Sequence, residues 1–95
     1  MNLTQAYLNQ VAEECSEVAQ RCSKAIRFGL EEVGPSEKGN NEERLRGEIT
    51  DLYASIALLE KHLGVGLINQ AGIKPKQDKI ERFLNYSREK GMLHD

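Results

Sequence analysis

The sequence predicts an all-α fold: an antiparallel helical bundle of two long helices plus a C-terminal helix, in a single domain over residues 1–95. Three observations predict it. Apolar side chains recur at helical period through residues 3–28 and again through 41–63. The strong breakers, Gly34-Pro35, Gly39-Asn40-Asn41 and Gly64-Val65-Gly66, fall between those runs. No stretch alternates polar and apolar residues around a hairpin turn, and no internal repeat or low-complexity segment is present.

The first helix is expected from residue 3 to about residue 28. At about 100° per residue, Tyr7, Leu8, Val11, Ala12, Cys15, Val18, Ala19, Cys22 and Ile26 share one arc. Gln10, Glu13, Glu14, Glu17, Arg21 and Lys24 share another, with Glu14 at the border. Gly29 is the expected stop. Cys15 and Cys22 lie seven residues apart, about 10 Å along a helix axis, too far for an intrachain disulfide. They lack the close pairing of a zinc site and read as small buried apolar residues.

Residues 29–41 read as a loop, longer than two antiparallel helices need. The second helix is expected from residue 41 to 63, with Asn41 as its cap and Glu42 and Glu43 in the first turn, where negative charge is favoured. Leu45, Ile49, Leu52, Ile56, Leu59 and Leu63 form its main stripe. Glu48 borders that stripe, Asp51 lies one step further round, and Ala54 and Leu58 add apolar surface beyond. Gly47 weakens the helix by up to about 1 kcal/mol relative to Ala. A close approach of another helix beside Glu48 would explain it. Residues 67–72 read as a short helical turn. A third helix is expected from 76 to about 90, with Ile80, Phe83, Leu84 and Ser87 turned inward.

Composition bounds the function. A chain of 95 residues buries a modest share of its surface and is often completed by association. With 39% hydrophobic and 29% charged residues it belongs to the ordinary globular class. A net charge of −2 argues against a protein that coats nucleic acid. No apolar run approaches the roughly 20 residues of a membrane span, so no membrane partner is expected. The start, Met1 to Ala6, has neither a basic nor an apolar leader region, so a cytoplasmic location is the expectation.

The chemistry resides in the acids. Glu14 and Glu17 are three apart on the first helix, and Glu48 and Asp51 are three apart on the second. Residues three apart share a helix face. Two such helices packed antiparallel would aim four carboxylates at one volume, where they repel unless a cation sits among them. An all-oxygen anionic set suits Mg2+, or Mn2+, rather than zinc. A di-iron site would need Glu-x-x-His pairs, and an EF-hand an acidic twelve-residue loop; neither exists here. No Ser-His-Asp set is apparent either. Mg2+ on carboxylates usually leaves positions open for phosphates, which implies metal-assisted displacement at phosphorus. Without a Walker A loop, phosphate contacts would fall to basic side chains. Arg21 and Lys24, on the acidic face after Glu17, are the candidates, with Lys74, Lys76 and Lys79 further off.

These acids also match a known signature. Glu13-Glu14-x-x-Glu17 followed by Glu48-x-x-Asp51 resembles the EExxE…ExxD pattern of the all-α nucleoside triphosphate pyrophosphohydrolases. That superfamily includes MazG, the dimeric dUTPases, dCTP pyrophosphatase and phosphoribosyl-ATP pyrophosphohydrolase. The flanking stretches 11–29 and 41–52 are similar to MazG-like proteins of phages and bacteria, and the resemblance spans roughly residues 8–63. It implies that Glu14, Glu17, Glu48 and Asp51 hold Mg2+, with Glu13 orienting a water or a basic group. It implies cleavage of a nucleoside triphosphate between the α and β phosphates, giving the monophosphate and pyrophosphate. It also implies a homodimer or homotetramer whose chains complete each other's sites. The stretch between Glu17 and Glu48 is somewhat longer than is usual there, and the extra length falls in the 29–41 loop. Two alternatives stay open: an enzyme of the phosphoribosyl-ATP type, and a non-catalytic helical oligomerisation or adaptor module.

Overall fold

The computed structural model describes residues 1–94. The chain runs α1 (Leu3–Phe28), α2 (Asn41–Leu63), a 3₁₀ turn (Gln70–Gly72) and α3 (Ile73–Glu89), with no strand among the described residues. Met1–Val65 forms one compact unit and the chain from Gly66 a second. No helix among the described residues is long and apolar enough to cross a membrane.

Local chemistry sets each helix end. At α1, the Asn2 side chain accepts from the Gln5 amide at 2.8 Å, and the Gln5 side chain accepts from the Asn2 amide at 2.8 Å. Two of the helix's orphan donors are thereby satisfied. At α2 the same box is built by Asn40 and Glu43, so the cap is Asn40 rather than the expected Asn41. Gly64 closes α2 at φ 73°, a left-handed conformation that glycine adopts without a Cβ clash. In the second unit, α3 starts three residues earlier than expected. Pro75 lies within its first turn, where the missing N–H would have had no helical partner.

Within the first unit, α1 and α2 form an antiparallel hairpin. Near its open end, Thr4 Oγ1 and His62 Nε2 are hydrogen-bonded at 2.8 Å, and the Tyr7 and His62 rings lie 5.1 Å apart. At its closed end, Asn41 Nδ2 donates to the Gly29 carbonyl at 2.8 Å. The seam on α1 is made of Thr4, Tyr7, Val11, Glu14, Val18, Arg21 and Ala25, half-buried at alternating three- and four-residue steps. Leu45, Glu48, Leu52, Ser55, Ile56 and Leu59 face it from α2, with Leu59 only 4% exposed. This is the left-handed heptad pattern of packed helices.

The other residues of the apolar arc of α1 do not join that seam. Leu8, Ala12, Cys15, Ala19, Cys22 and Ile26 are exposed, Ile26 to 83%. The expectation that both cysteines are buried is therefore incorrect within one chain. The apolar arc is wider than one facing helix can cover, and α2 covers its Tyr7–Val11–Val18 edge. On α3, Ile80, Phe83 and Leu84 are exposed rather than inward, while Ser87 is half-buried.

The loop is anchored, and Asn41 is its anchor. This residue is 2% exposed, and its backbone N–H donates to the Glu32 carbonyl at 3.0 Å while its side chain holds Gly29. Asn41→Ala leaves the Gly29 carbonyl without that donor. The expected cost is about 0.5–1.5 kcal/mol, read as a lower urea midpoint at unchanged slope. A midpoint equal to that of the unaltered protein would show that the loop is held by something else.

Candidate metal centre

Glu14 and Glu48 sit at the centre of the hairpin seam, each one step from apolar neighbours: Val11 and Val18 on α1, Leu45 and Leu52 on α2. Glu17, one turn along from Glu14, is exposed but reaches the same point. One carboxylate oxygen from each of Glu14, Glu17 and Glu48 falls within 4.8 Å of the others. Gln10 Nε2 donates to Glu14 Oε1 at 2.9 Å. Glu14 Oε2 and Glu48 Oε2 are buried and have no hydrogen-bond partner.

The cost of that arrangement is visible on Glu17. Its carboxyl is held above the ordinary glutamate value of 4.5, first by a hydrogen bond with Glu48 and then by the negative charge of Glu14 and Glu48. A shared proton is one way to relieve three converging anions, and a cation is the other. Three carboxylates, two of which carry a buried oxygen without a partner, fit a hard divalent ion of the Mg2+ or Mn2+ kind. Glu14, Glu17 and Glu48 are the residues that would hold it.

The other expected residues lie around this point. Glu13 is exposed and accepts from Asn9 Nδ2 at 3.1 Å, outside the cluster. Asp51 is exposed and does not belong to the group that closes within 4.8 Å. It lines an adjoining cleft of about 320 Å³ with Lys38, Glu43, Arg44, Gly47 and Glu48. Gly47 has no close neighbour: a Cβ there would meet nothing within 4 Å. The expected close helix approach is thus absent at Gly47 among the described residues, and Gly47 lines the cleft instead.

Arg21 and Lys24 are engaged by a residue that the sequence did not single out. Glu37, in the loop, pairs with Arg21 Nη1 at 2.9 Å, Arg44 Nε at 2.8 Å and Lys24 Nζ at 3.4 Å. Partial burial opposes ionisation of Glu37, but the charges of Arg21, Arg44 and Lys24 together hold its carboxyl below the usual range. Arg44 had one signal in the sequence, since it lies one turn before Glu48. Glu37 had none, because nothing in a loop's composition says which helix it folds back on.

No family model, curated protein or solved structure matches this chain.

Proposed function

We propose that the protein is a Mg2+-dependent nucleoside triphosphate pyrophosphohydrolase, cleaving (d)NTPs between the α and β phosphates to the monophosphate and pyrophosphate. One observation carries the reading: Glu14, Glu17 and Glu48 converge from two helices with two buried carboxylate oxygens left unpartnered. The resemblance of Glu13-Glu14-x-x-Glu17 and Glu48-x-x-Asp51 to the pyrophosphohydrolase signature gives that convergence its substrate class.

In this reading Glu14, Glu17 and Glu48 hold the ion, and Asp51 completes the set from the cleft wall. Bound there, the ion would polarise a phosphoryl oxygen and acidify the attacking water. Glu13, one residue before Glu14 and free of the cluster, orients water at the rim. The seam residues Val11, Val18, Leu45 and Leu52 fix the two helices and so the spacing of the carboxylates. The exposed stripe Leu8–Ala12–Cys15–Ala19–Cys22–Ile26 repeats at the same three- and four-residue steps as the buried seam. It is the face through which a second copy would complete a homodimer or homotetramer.

That same stripe also suits an adaptor module without chemistry. The two readings separate on products. Incubation with a panel of NTPs and dNTPs plus Mg2+ is expected to release monophosphate and pyrophosphate from at least one member. An adaptor releases neither and is indifferent to Mg2+. Inactivity across the panel, with the helices intact by circular dichroism and the protein dimeric by sedimentation, would overturn the enzyme reading.

A further inference from the structure

Three cations on one carboxylate are more than a loop needs to stay in place. Arg21, Lys24 and Arg44 surround Glu37, which leaves two positive charges uncompensated within the group. Arg21 is held nearly inside, its side chain 12% exposed. Both carboxylate oxygens are occupied: Oε2 by Arg21 and Arg44, Oε1 by Lys24.

The position of the group is set by the helices. Arg21 follows Glu17 by four residues and Arg44 precedes Glu48 by four. Because α1 and α2 are antiparallel, both steps run towards the closed end of the hairpin, about 6 Å beyond the carboxylates. Arg44 shares its cleft with Glu48 and Asp51. An acidic cluster and a basic cluster are thus stacked one turn apart, an arrangement suited to a metal–polyphosphate.

We propose that Arg21, Lys24 and Arg44 form a binding site for a phosphate group of a polyphosphate chain, and that the Glu37 carboxylate is its internal occupant, displaced when that group binds. Guanidinium groups pair with carboxylates and phosphates through the same geometry, and a phosphate offers three oxygens where Glu37 offers two. The loop is built to release the occupant. Glu37 follows Ser36, a non-glycine residue at φ 63°, and its side chain folds back so that a Cβ on Gly34 would lie 3.2 Å from Oε1. Backbone in that region is held only while surrounding contacts require it. Gly29 and Gly39, at φ 92° and 84°, bracket the segment. This assignment rests on the pyrophosphohydrolase reading for the identity of the anion, but its binding step requires neither metal nor turnover.

The test is calorimetric titration of the full chain with inorganic tripolyphosphate in EDTA. Removing the internal competitor in Glu37→Gln is expected to tighten binding about tenfold, as when a competent state held near a tenth of the population becomes the dominant one. Arg44→Met is expected to weaken binding by a similar factor. If Glu37 only rivets the loop, Glu37→Gln leaves affinity unchanged or weakens it, and the proposal is overturned. A carbon NMR measurement on the unaltered protein guards against a variant that misfolds. The Glu37 carboxyl resonance is expected to move to the position of a solvated carboxylate as tripolyphosphate saturates, and a stationary resonance overturns the displacement. Tightening in Glu37→Gln with no hydrolysis of any nucleotide would leave the anion site standing and sink the enzyme. Hydrolysis with no change of affinity in Glu37→Gln would do the reverse.

Discussion

Glu48→Gln is expected to lower hydrolysis by at least about 100-fold and, in the same protein without metal, to raise thermal stability. The first effect follows if Glu48 is a metal ligand. Charge stabilisation by a bound ion is worth several kcal/mol, and each ~1.4 kcal/mol is a factor of ten in rate. The second follows from what the carboxylate costs when no ion is present. Glu48 Oε2 is buried without a partner, beside Glu14 and Glu17. An amide at that position removes one of three clustered charges and adds donors for the carboxylates beside it. Relief of about 1 kcal/mol corresponds to roughly 4–8 °C for a domain of this size. Paired assays of turnover and melting, each with and without Mg2+, check both halves. Unchanged turnover would remove Glu48 from the ligand set. A lower melting temperature without metal would show that the carboxylate is satisfied in solution after all.

Mg2+ is expected to raise the melting temperature at neutral pH, and the gain should shrink as the solution is acidified. At a free concentration about 100 times its dissociation constant, an ion that binds only the folded chain stabilises it by about 2.7 kcal/mol. That is on the order of 10 °C or more for this size. The pH dependence comes from Glu17, whose carboxyl is raised above 4.5 by Glu48 and Glu14. Between 4.5 and its raised folded value, the folded state binds more protons than the unfolded one. Stability of the metal-free protein therefore falls as pH rises through that window. Acidification from neutral towards 4.5 should stabilise the metal-free protein while competing with Mg2+ for the same oxygens. Below 4.5 the direction reverses, because Glu37 has its carboxyl lowered by Arg21, Arg44 and Lys24 and loses that stabilisation on protonation. Differential scanning calorimetry over pH 4–8, with EDTA or Mg2+, measures this directly. Melting curves that coincide at pH 7.5 with and without Mg2+ would remove the metal from the proposed function.

Donor chemistry separates this set from a calcium or a zinc site. Three carboxylates from two rigid helices offer few, fixed oxygens, which suits the small Mg2+ or Mn2+ ion better than the six to eight flexible ligands that Ca2+ takes. The His and Cys donors that favour zinc are remote in sequence or on another face. Cys15 and Cys22 are exposed on the outer stripe of α1, and His62 is engaged with Thr4 and Tyr7.

The sequence by itself determined the all-α class, the extents of α1 and α2, and the presence of acids at matched spacing on both. These are local properties. Periodicity follows from 3.6 residues per turn, and helix ends follow from Asn caps and glycine stops a few residues away. Only the tertiary structure decided which face of α1 meets α2. Two stripes at the same spacing run along that helix, Thr4–Tyr7–Val11–Glu14–Val18–Arg21–Ala25 and Leu8–Ala12–Cys15–Ala19–Cys22–Ile26, and a period cannot rank them. The sequence joins Tyr7, Val11 and Val18 to the second of these stripes in one arc, yet the chain buries only the edge that carries Glu14 and Arg21. Arg21 finds its partner Glu37 in the loop and Glu14 accepts from Gln10 on its own helix, whereas the apolar stripe has no facing element within the first unit. The same choice set the site. It drew Glu14 and Glu48 into the seam and left Asp51 on the cleft wall, one helical step away from the point where the three glutamates meet. It also brought Glu37 onto Arg21, Lys24 and Arg44, a contact between segments up to 16 residues apart that no local rule encodes.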